Sequence, residues 1–410
     1  MCREFPPAHH GGTGSVTSEM AKMLQSKNNR IYINSRYFCD EFKNSSVKKQ
    51  YTEGLFSRYI EKIPISSFDS VYYAYRAGSQ TNKLLKLNEI DIVEAPSHGA
   101  ESLFYSINKS TPLVIRLHGF ISKIPLTEID NPINKKQLSF TKEPKTQLFR
   151  NYVNKKNQQI MWELEKKAVL NADMLICPSM SVKNFILNEI SEVDENNLKL
   201  IYNGIDCNIF DKIQPQEENI RKKYNIKNGS KLICFVGRVI KPKGVETLIR
   251  SIPYVLSKYR NVTFIFMGPL IDKSLIELCK NINSPIDREN IIFTNRINRE
   301  DVYNLLKISY MLVHPSLYEV LPTTILEAMA FKKSVVASDI SPHKELIKNC
   351  KNGFLFETNN YEDLADKILE LLFDPDKSKN MGIKGYEIAS KYFSINKNCE
   401  ESLKIYNSLI

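Results

Sequence analysis

Residues 310–339 read YMLVHPSLYEVLPTTILEAMAFKKSVVASD. The apolar run 311–313 predicts a buried strand, and Pro322 stands where a helix can begin, because the first helical turn needs no proline N–H. Residues 324–330 are strong helix formers, and the β-branched run 334–337 predicts a second strand. The stretch therefore predicts a strand, a loop, a helix and a strand in that order.

Two carboxylates flank the start of this predicted helix, Glu319 in the loop and Glu327 inside the helix. A helix N-terminus offers unpaired N–H groups and a positive dipole end, which favour a phosphate. A carboxylate one or two turns further on can accept hydrogen bonds from ribose hydroxyls, and a loop carboxylate can face a sugar. The pattern is typical of a sugar-nucleotide site, but solvent-facing or capping glutamates have the same spacing.

The composition is that of an ordinary globular protein. A length of 410 residues allows two domains of about 200 residues each. The sequence contains no run of about 18 apolar residues, and it therefore predicts no membrane-spanning helix. Eight cysteines occur without a C-x-x-C pair, so we expect no zinc site and a reducing, cytoplasmic location. A net charge of +11 permits binding to anionic lipid or to nucleotide sugars, whereas no basic stripe with interleaved aromatics predicts nucleic-acid binding.

The first half alternates strand and helix patterns. Runs at 30–34, 90–94 and 113–117 predict parallel strands with helices on both faces, and ligands bind beyond the carboxyl ends of such strands. His118 stands at one of these ends, although a structural histidine also fits there; His9, His10 and His98 are weaker candidates.

A glycine loop at residues 11–14 leads into a predicted helix, an arrangement that suits an anion but also fits an ordinary capped loop. The charged residues 121–160 lack a clear period and predict a solvated loop, with a mobile acceptor flap or a contact with anionic membrane as the alternatives.

The second half contains a strand at 231–237, a basic loop and a helix. Arg238 offers a planar fork of donors and Lys243 a compact charge, and both suit a diphosphate leaving group. Solvated surface charges remain the alternative for both.

The spacing of Glu319 and Glu327, followed by Ala-Met-Ala and then Val-Val-Ala-Ser, resembles the signature of the retaining glycosyltransferases of family four, which have the two-domain GT-B fold. The glycine loop, the histidine at 118, the Asn-Gly-Ile-Asp sequence at 203–206 and the Arg and Lys after the 231–237 strand match further motifs in the same order. Val320 departs from the family's glycine, and residues 332–334 depart from its Gly-x-Pro.

This resemblance implies an α/β fold of two Rossmann-like, doubly wound domains facing a cleft. The first strand of that fold is expected to be missing or truncated here, with a longer native N-terminus as one explanation. The implied organisation is an acceptor-binding domain at 1–210, a nucleotide-sugar-binding domain at 211–385, and a C-terminal helix at 386–410 that crosses back to the first domain.

The implied activity is transfer of a sugar, with retention, from a nucleotide-diphosphate sugar to an acceptor hydroxyl in cell-surface polysaccharide or glycolipid synthesis. No metal or cofactor is expected. The expected partners are the donor and a glycan or lipid-linked acceptor, with a peripheral contact at the inner membrane face left open. A non-catalytic sugar-nucleotide-binding partner and a nucleotide-sugar epimerase of the same fold are the alternatives. The residues implied in catalysis are His118, Glu319, Arg238 and Lys243, and those implied in donor binding are Gly12, Arg238, Lys243, Glu319, Leu321, Thr323 and Glu327.

Overall fold

A computed structural model describes residues 12–35, 48–51, 66–120, 144–282 and 284–410. His9, His10 and the first residues of the glycine loop lie outside the described residues, as does the part of the charged segment at 121–143. The chain divides into two compact units, Met1–Gly204 with Ile395–Ile410, and Ile205–Ser394.

The first unit alternates strands and helices. In chain order its elements are α1 (Gly12–Ser26), β1 (Tyr32–Ser35), β2 (Lys48–Tyr51), α2 (Ser66–Leu87), β3 (Val93–Pro96), α3 (Leu103–Ser106), β4 (Leu113–Arg116), α4 (Pro144–Leu170), β5 (Met174–Cys177), α5 (Met180–Glu189) and β6 (Leu198–Leu200).

The strands of the first unit pair in parallel. In the described residues β3, β4, β5 and β6 form one sheet in that order, while β1 pairs with β2. All four residues of β4, three apolar ones and Arg116, are buried, as expected for a parallel strand covered on both faces.

The charged segment is partly helical, which corrects the prediction of a solvated loop over 121–160. The helix α4 begins at Pro144, so residues 144–160 are helical. Lys and Gln, which recur in residues 144–160, have high intrinsic helix propensity, and a helix rich in them forms without a strong apolar period.

The second unit has the same alternation. Its elements in chain order are α6 (Cys207–Asp211), α7 (Glu217–Lys223), β7 (Lys231–Val236), α8 (Val245–Lys258), β8 (Val262–Met267), α9 (Lys273–Ile282), α10 (Pro285–Arg288), β9 (Ile291–Asn295), α11 (Arg299–Ile308), β10 (Met311–His314), α12 (Thr323–Ala330), β11 (Ser334–Ser338), α13 (Ser341–Leu346), β12 (Phe354–Phe356), α14 (Tyr361–Phe373) and α15 (Pro375–Tyr392). The last helix, α16 (Ile395–Asn407), groups with the first unit.

The described strands of the second unit form one parallel sheet in the order β12-β11-β10-β7-β8-β9. The order reverses between β7 and β10, and the loops after these two strands therefore meet at a topological switch point, where ligands bind in open α/β sheets. The core beneath it includes Phe235, Phe264 and the apolar stripe of α8. Two units with parallel sheets confirm the predicted α/β fold class.

Candidate active site

The loops after β7 and β10 are joined by an ion pair. A 3-10 turn at Lys241–Lys243 follows β7, and the Nζ of Lys243 lies 2.7 Å from Oε1 of Glu319 in the loop after β10. Both side chains are largely buried, with exposed fractions of 19% and 13%. The structure thus brings together two of the residues that the sequence predicts for the site.

Close backbone packing fixes this pair. Gly244, next to Lys243, has a φ of +65°, and a Cβ there would lie 1.7 Å from the carbonyl oxygen of Pro315. The N–H of Leu317 also donates to the carbonyl of Pro242 over 2.9 Å. A glycine is required at 244 both by the left-handed backbone and by the approach of the second loop.

The charge on Glu319 is held by its neighbours. Burial alone would raise the pKa of Glu319, but the charge of Lys243 and hydrogen bonds from Lys243 and His314 hold this pKa well below its usual range. The carboxylate therefore stays ionised at neutral pH and can accept hydrogen bonds from a ligand.

Two buried histidines stand behind Glu319, and the sequence did not single them out for the site. His314 ends β10, is 3% exposed, and places Nε2 3.0 Å from Oε1 of Glu319. The His343 ring packs edge-on against the His314 ring at 5.2 Å between centroids, and its Nδ1 lies 2.8 Å from the carbonyl oxygen of Ser338. Burial lowers the pKa of His343 to about 3, so this ring is neutral at physiological pH. The sequence signal that could have identified His314 as a site residue is its position at the end of a predicted strand.

The second predicted carboxylate, Glu327, lies inside α12 and is paired with a residue that the sequence did not reveal. The guanidinium Nη2 of Arg299 donates to Oε1 of Glu327 over 2.7 Å, while the Glu327 side chain is 8% exposed. Burial raises the pKa of Glu327, and the Arg299 charge and the Tyr303 hydroxyl oppose this rise. Arg299 begins α11, and nothing in the local sequence pattern links it to residue 327.

The start of α12 lies between these two carboxylates along the chain. Pro322 is the N-cap residue and gives no side-chain cap. Thr323, the first residue of the helix, is half-buried, whereas the side chain of Leu321 is 5% exposed and belongs to the core. A contact from Leu321 to a ligand would therefore come from its backbone.

Arg238 follows the carboxyl end of β7, and its side chain is exposed. Its neighbour Gly237 is approached by Gly268, where a Cβ would lie 2.1 Å from the Gly237 carbonyl oxygen. The backbone that carries Arg238 is thus packed against the loop after β8.

In the first unit, His118 follows β4 beside a buried polar network. Arg116 is 2% exposed and donates to Glu94 over 3.1 and 3.0 Å and to the Ser402 hydroxyl over 3.0 Å, and Tyr406 also donates to Glu94. Burial, together with the Arg116 charge, lowers the pKa of His118 to about 3. His118 is therefore a neutral hydrogen-bonding group.

A cavity of about 410 Å³ lies next to this network, lined by residues of β1 and β3 and by His118. In the described residues β1 and β3 are not paired with each other. Gly12 begins α1, the helix that lines the cavity with Met20 and Ala21.

No group of three or more metal-ligating side chains occurs among the described residues. Within the same ranges, no helix is both long and apolar enough to cross a membrane.

Two family models match consecutive parts of the chain. "Glycosyltransferase Family 4" matches residues 10–209, and "Glycosyl transferases group 1" matches residues 216–388. Together the two matches take in most of the chain, and each of the two models describes a glycosyltransferase family.

Individual relatives agree with these matches. An uncharacterized glycosyltransferase of Methanocaldococcus jannaschii is 30% identical over 244 residues, covering 58% of this chain and 59% of the relative. The alpha-maltose-1-phosphate synthase of Mycolicibacterium smegmatis is 25% identical over 260 residues, covering 61% of this chain and 67% of the relative. The chain thus spans about three fifths of the length of the first relative.

Among solved structures, Anabaena HepE in complex with UDP and glucose is similar to this chain with a TM-score of 0.72 at 18% identity. That match covers 100% of this chain and 99% of HepE. At this identity the likeness shows the fold.

Two residues that depart from the family signature, Val320 and Lys332, differ in their backbone conformation. Val320 has no positive φ, so its branched side chain is compatible with the loop. Lys332, where the family has glycine, takes a φ of +56°, a conformation that costs a side-chain-bearing residue about 1 kcal/mol. The loop after α12 therefore has, at Lys332, the left-handed backbone conformation that glycine adopts most easily.

Proposed function

We propose that the protein is a retaining glycosyltransferase that moves a sugar from a nucleoside diphosphate to an acceptor hydroxyl. The observation that carries this proposal is the buried Lys243–Glu319 pair at the switch point of the second unit, close in sequence to the start of α12. A cation, an ionised carboxylate and a helix N-terminus are the groups that a diphosphate-linked sugar needs.

The roles follow from chemistry. Lys243 and Arg238 stabilise the negative charge that grows on the departing diphosphate, supported by the backbone N–H groups around Leu321 and Thr323. These cations supply the positive charge without a metal ion. Glu327 accepts hydrogen bonds from the ribose hydroxyls.

Glu319 and neutral His118 orient the sugar, and Gly12 lets the backbone approach the donor. The bond between C1 of the sugar and the phosphate oxygen breaks while the acceptor oxygen bonds to C1 on the same face. The acceptor proton passes to the leaving diphosphate, so no enzymatic nucleophile is needed.

The donor and acceptor classes rest on relatives. HepE was solved with UDP and glucose, so uridine is the first base to test. The Mycolicibacterium relative is named a maltose-1-phosphate synthase, which favours a glycan or phosphorylated sugar acceptor in polysaccharide synthesis. A lipid-linked acceptor at the inner membrane face is part of the same proposal. A cytoplasmic location is also part of the proposal, because the described cysteines form no disulfide with one another, as expected in a reducing compartment.

A melting-temperature panel with UDP, GDP, ADP and their glucose conjugates tests the donor class, because a ligand that binds the native state raises the melting temperature. Product analysis with the donor that raises it most then tests the reaction. A new glycoside with the anomeric configuration of the donor supports the proposal. Interconversion of the donor sugar without transfer indicates an epimerase, and binding without turnover indicates a non-catalytic partner.

A further inference from the structure

The hydrogen bonds of Glu319 use one oxygen of its carboxylate. Lys243 and His314 both bond to Oε1, at 2.7 and 3.0 Å. Oε2 has no hydrogen-bond partner within the described residues. The carboxyl group is thus anchored through one oxygen, and the other is left for a ligand.

The bond to Glu319 places a hydrogen on one nitrogen of His314. An ionised carboxylate can only accept a hydrogen bond, so Nε2 of His314 carries a hydrogen. Nδ1 of the same ring is buried without a partner in the described residues. Nε2 of His343 is likewise buried and has no hydrogen-bond partner in the described residues.

These unpaired nitrogens argue against a packing role. A buried polar atom without a partner costs about 1–3 kcal/mol, and an apolar side chain of similar shape would avoid that cost. The surroundings are otherwise well packed, since the His343 ring contacts the His314 ring edge-on and the Ser338 hydroxyl donates to the carbonyl of Ser316. The feature that an apolar residue cannot reproduce is the N–H directed at Glu319.

We propose that His314 is a positioning residue whose Nε2–H, together with Lys243, holds Oε1 of Glu319 so that Oε2 accepts a hydrogen bond from a hydroxyl of the transferred sugar. This inference rests on the proposed function, because it gives Glu319 a sugar to face. His314 itself lies behind the carboxylate and does not contact the substrate.

Two substitutions separate the N–H from the bulk of the ring. His314→Gln keeps a donor, since its amide nitrogen reaches about the place of Nε2, whereas His314→Leu keeps volume and removes the donor. With UDP and UDP-glucose as probes, His314→Leu should lower kcat roughly 10- to 100-fold through misplacement of Glu319, with KM for the donor and Kd for UDP changed less than about threefold. His314→Gln should retain kcat within about threefold of the wild type.

Ser230→Ala is the matched control for lost stability. Ser230 makes a buried hydrogen bond of 2.9 Å to Thr263 at the amino ends of β7 and β8, away from the loops that carry the site. It should lower the melting temperature and leave kcat unchanged. Equal kcat values for the Gln and Leu variants of His314, in an active wild-type background, would overturn the inference.

A ligand-free measurement tests the hydrogen bond itself. The chain has six histidines, and ¹⁵N-histidine labelling with the His314→Gln variant identifies the His314 signals. We expect a hydrogen on Nε2, and an Nε2 without a hydrogen would overturn the inference. Absence of transfer by the wild-type protein from every donor of the panel would instead be a failure of the proposed function, so the two failures are distinguishable.

Discussion

The Nζ of Lys243 and Oε1 of Glu319 are 2.7 Å apart and join the loops that follow β7 and β10, the two strands between which the strand order of the second unit reverses. The pair is largely buried, so each charge depends on the other. Removing one partner of a buried ion pair costs about 3–5 kcal/mol, because the remaining charge is left without compensation. The pair therefore links the stability of the switch point to the chemistry proposed there.

Lys243→Gln should lower turnover about 100-fold, as expected for loss of one group that stabilises leaving-group charge. The substitution also removes the main influence that lowers the pKa of Glu319, and burial then raises this pKa. The acid limb of the pH–activity profile should therefore move to higher pH. Lys241→Gln, on the same turn with an exposed side chain, is the control. Kinetics from pH 4 to 9 check both effects, and an unmoved acid limb would contradict the role of Lys243.

Gly244→Ala tests the packing that holds the pair. A Cβ at this position meets the Pro315 carbonyl at 1.7 Å, so the loops must separate and Lys243 must leave Glu319. Backbone strain and overpacking together should cost about 2–4 kcal/mol. Gly229→Ala, at a φ of +71° with open space around its Cβ, should cost only the backbone term of about 1 kcal/mol. Urea unfolding gives the free energy of unfolding of each variant. Equal decreases for Gly244→Ala and Gly229→Ala would show that the loop at Pro315 moves aside at little cost.

Arg238→Ala should lower turnover by about 100-fold or more, since one charge that stabilises the transition state is lost. The exposed Arg250, which pairs with Glu246 at the surface of α8, provides a matched Arg→Ala control that should leave activity unchanged. Steady-state kinetics with the donor are the measurement. A loss below about threefold would rule out the role of Arg238 in leaving-group departure.

The sequence predicted much of the second unit because its signals are local. Apolar β-branched runs and strong helix formers specify β10, α12 and β11 within a residue or two of their observed bounds. The pattern at 162–172 is helical and matches the second half of the helix at Pro144–Leu170, but the first half of this helix was missed, because it carries helix propensity without a clear apolar period.

The partners in the candidate site were harder to predict than its elements. The bond between Arg299 and Glu327 spans 28 positions and depends on how α11 packs beside α12. His314 lies near Glu319 in sequence, but the role proposed for it depends on the burial of its ring, which the sequence around Glu319 does not reveal. The ligand-binding roles of the predicted residues stay predictions. The structure adds the side chains that hold Glu319 and Glu327 in place.

Glu327→Gln should weaken UDP and the UDP-sugar alike, by roughly 10-fold, because a charge-assisted hydrogen bond to the ribose contributes about 1.5–3 kcal/mol. Its pKa is raised above the usual 4.5, so the folded protein binds this proton more tightly than the unfolded chain. The contribution of Glu327 to stability should therefore fall as pH rises from 4.5 through the raised value. Calorimetry and unfolding from pH 4 to 8, wild type against Glu327→Gln, check both. A change in acceptor affinity alone would exclude the ribose role.

Arg116→Met should destabilise the first unit by about 3 kcal/mol or more, because Glu94 then loses its cation. Burial would raise the pKa of Glu94, and the Arg116 charge with hydrogen bonds from Arg116 and Tyr406 lowers it below the usual 4.5. The stability from this pairing is present above that pH and is lost as pH falls through the lowered pKa. The difference between wild type and variant should therefore shrink in acid.

The double variant Glu94→Gln/Arg116→Met separates the ion pair from packing. If the cost of Arg116→Met arises from an unpaired Glu94 carboxylate, neutralising Glu94 should recover part of the lost free energy, with a coupling of about 1–3 kcal/mol in the double-mutant cycle. Tyr406→Phe, which removes a single hydroxyl from the same network, should cost about 1–3 kcal/mol and loosen the contact of α16 with Glu94. Urea unfolding at pH 7 gives the free energies of unfolding of Glu94→Gln, Arg116→Met, the double variant and Tyr406→Phe. Strict additivity would mean that Arg116 acts through its contacts with Ser402 and the core, and that the charge of Glu94 is compensated elsewhere.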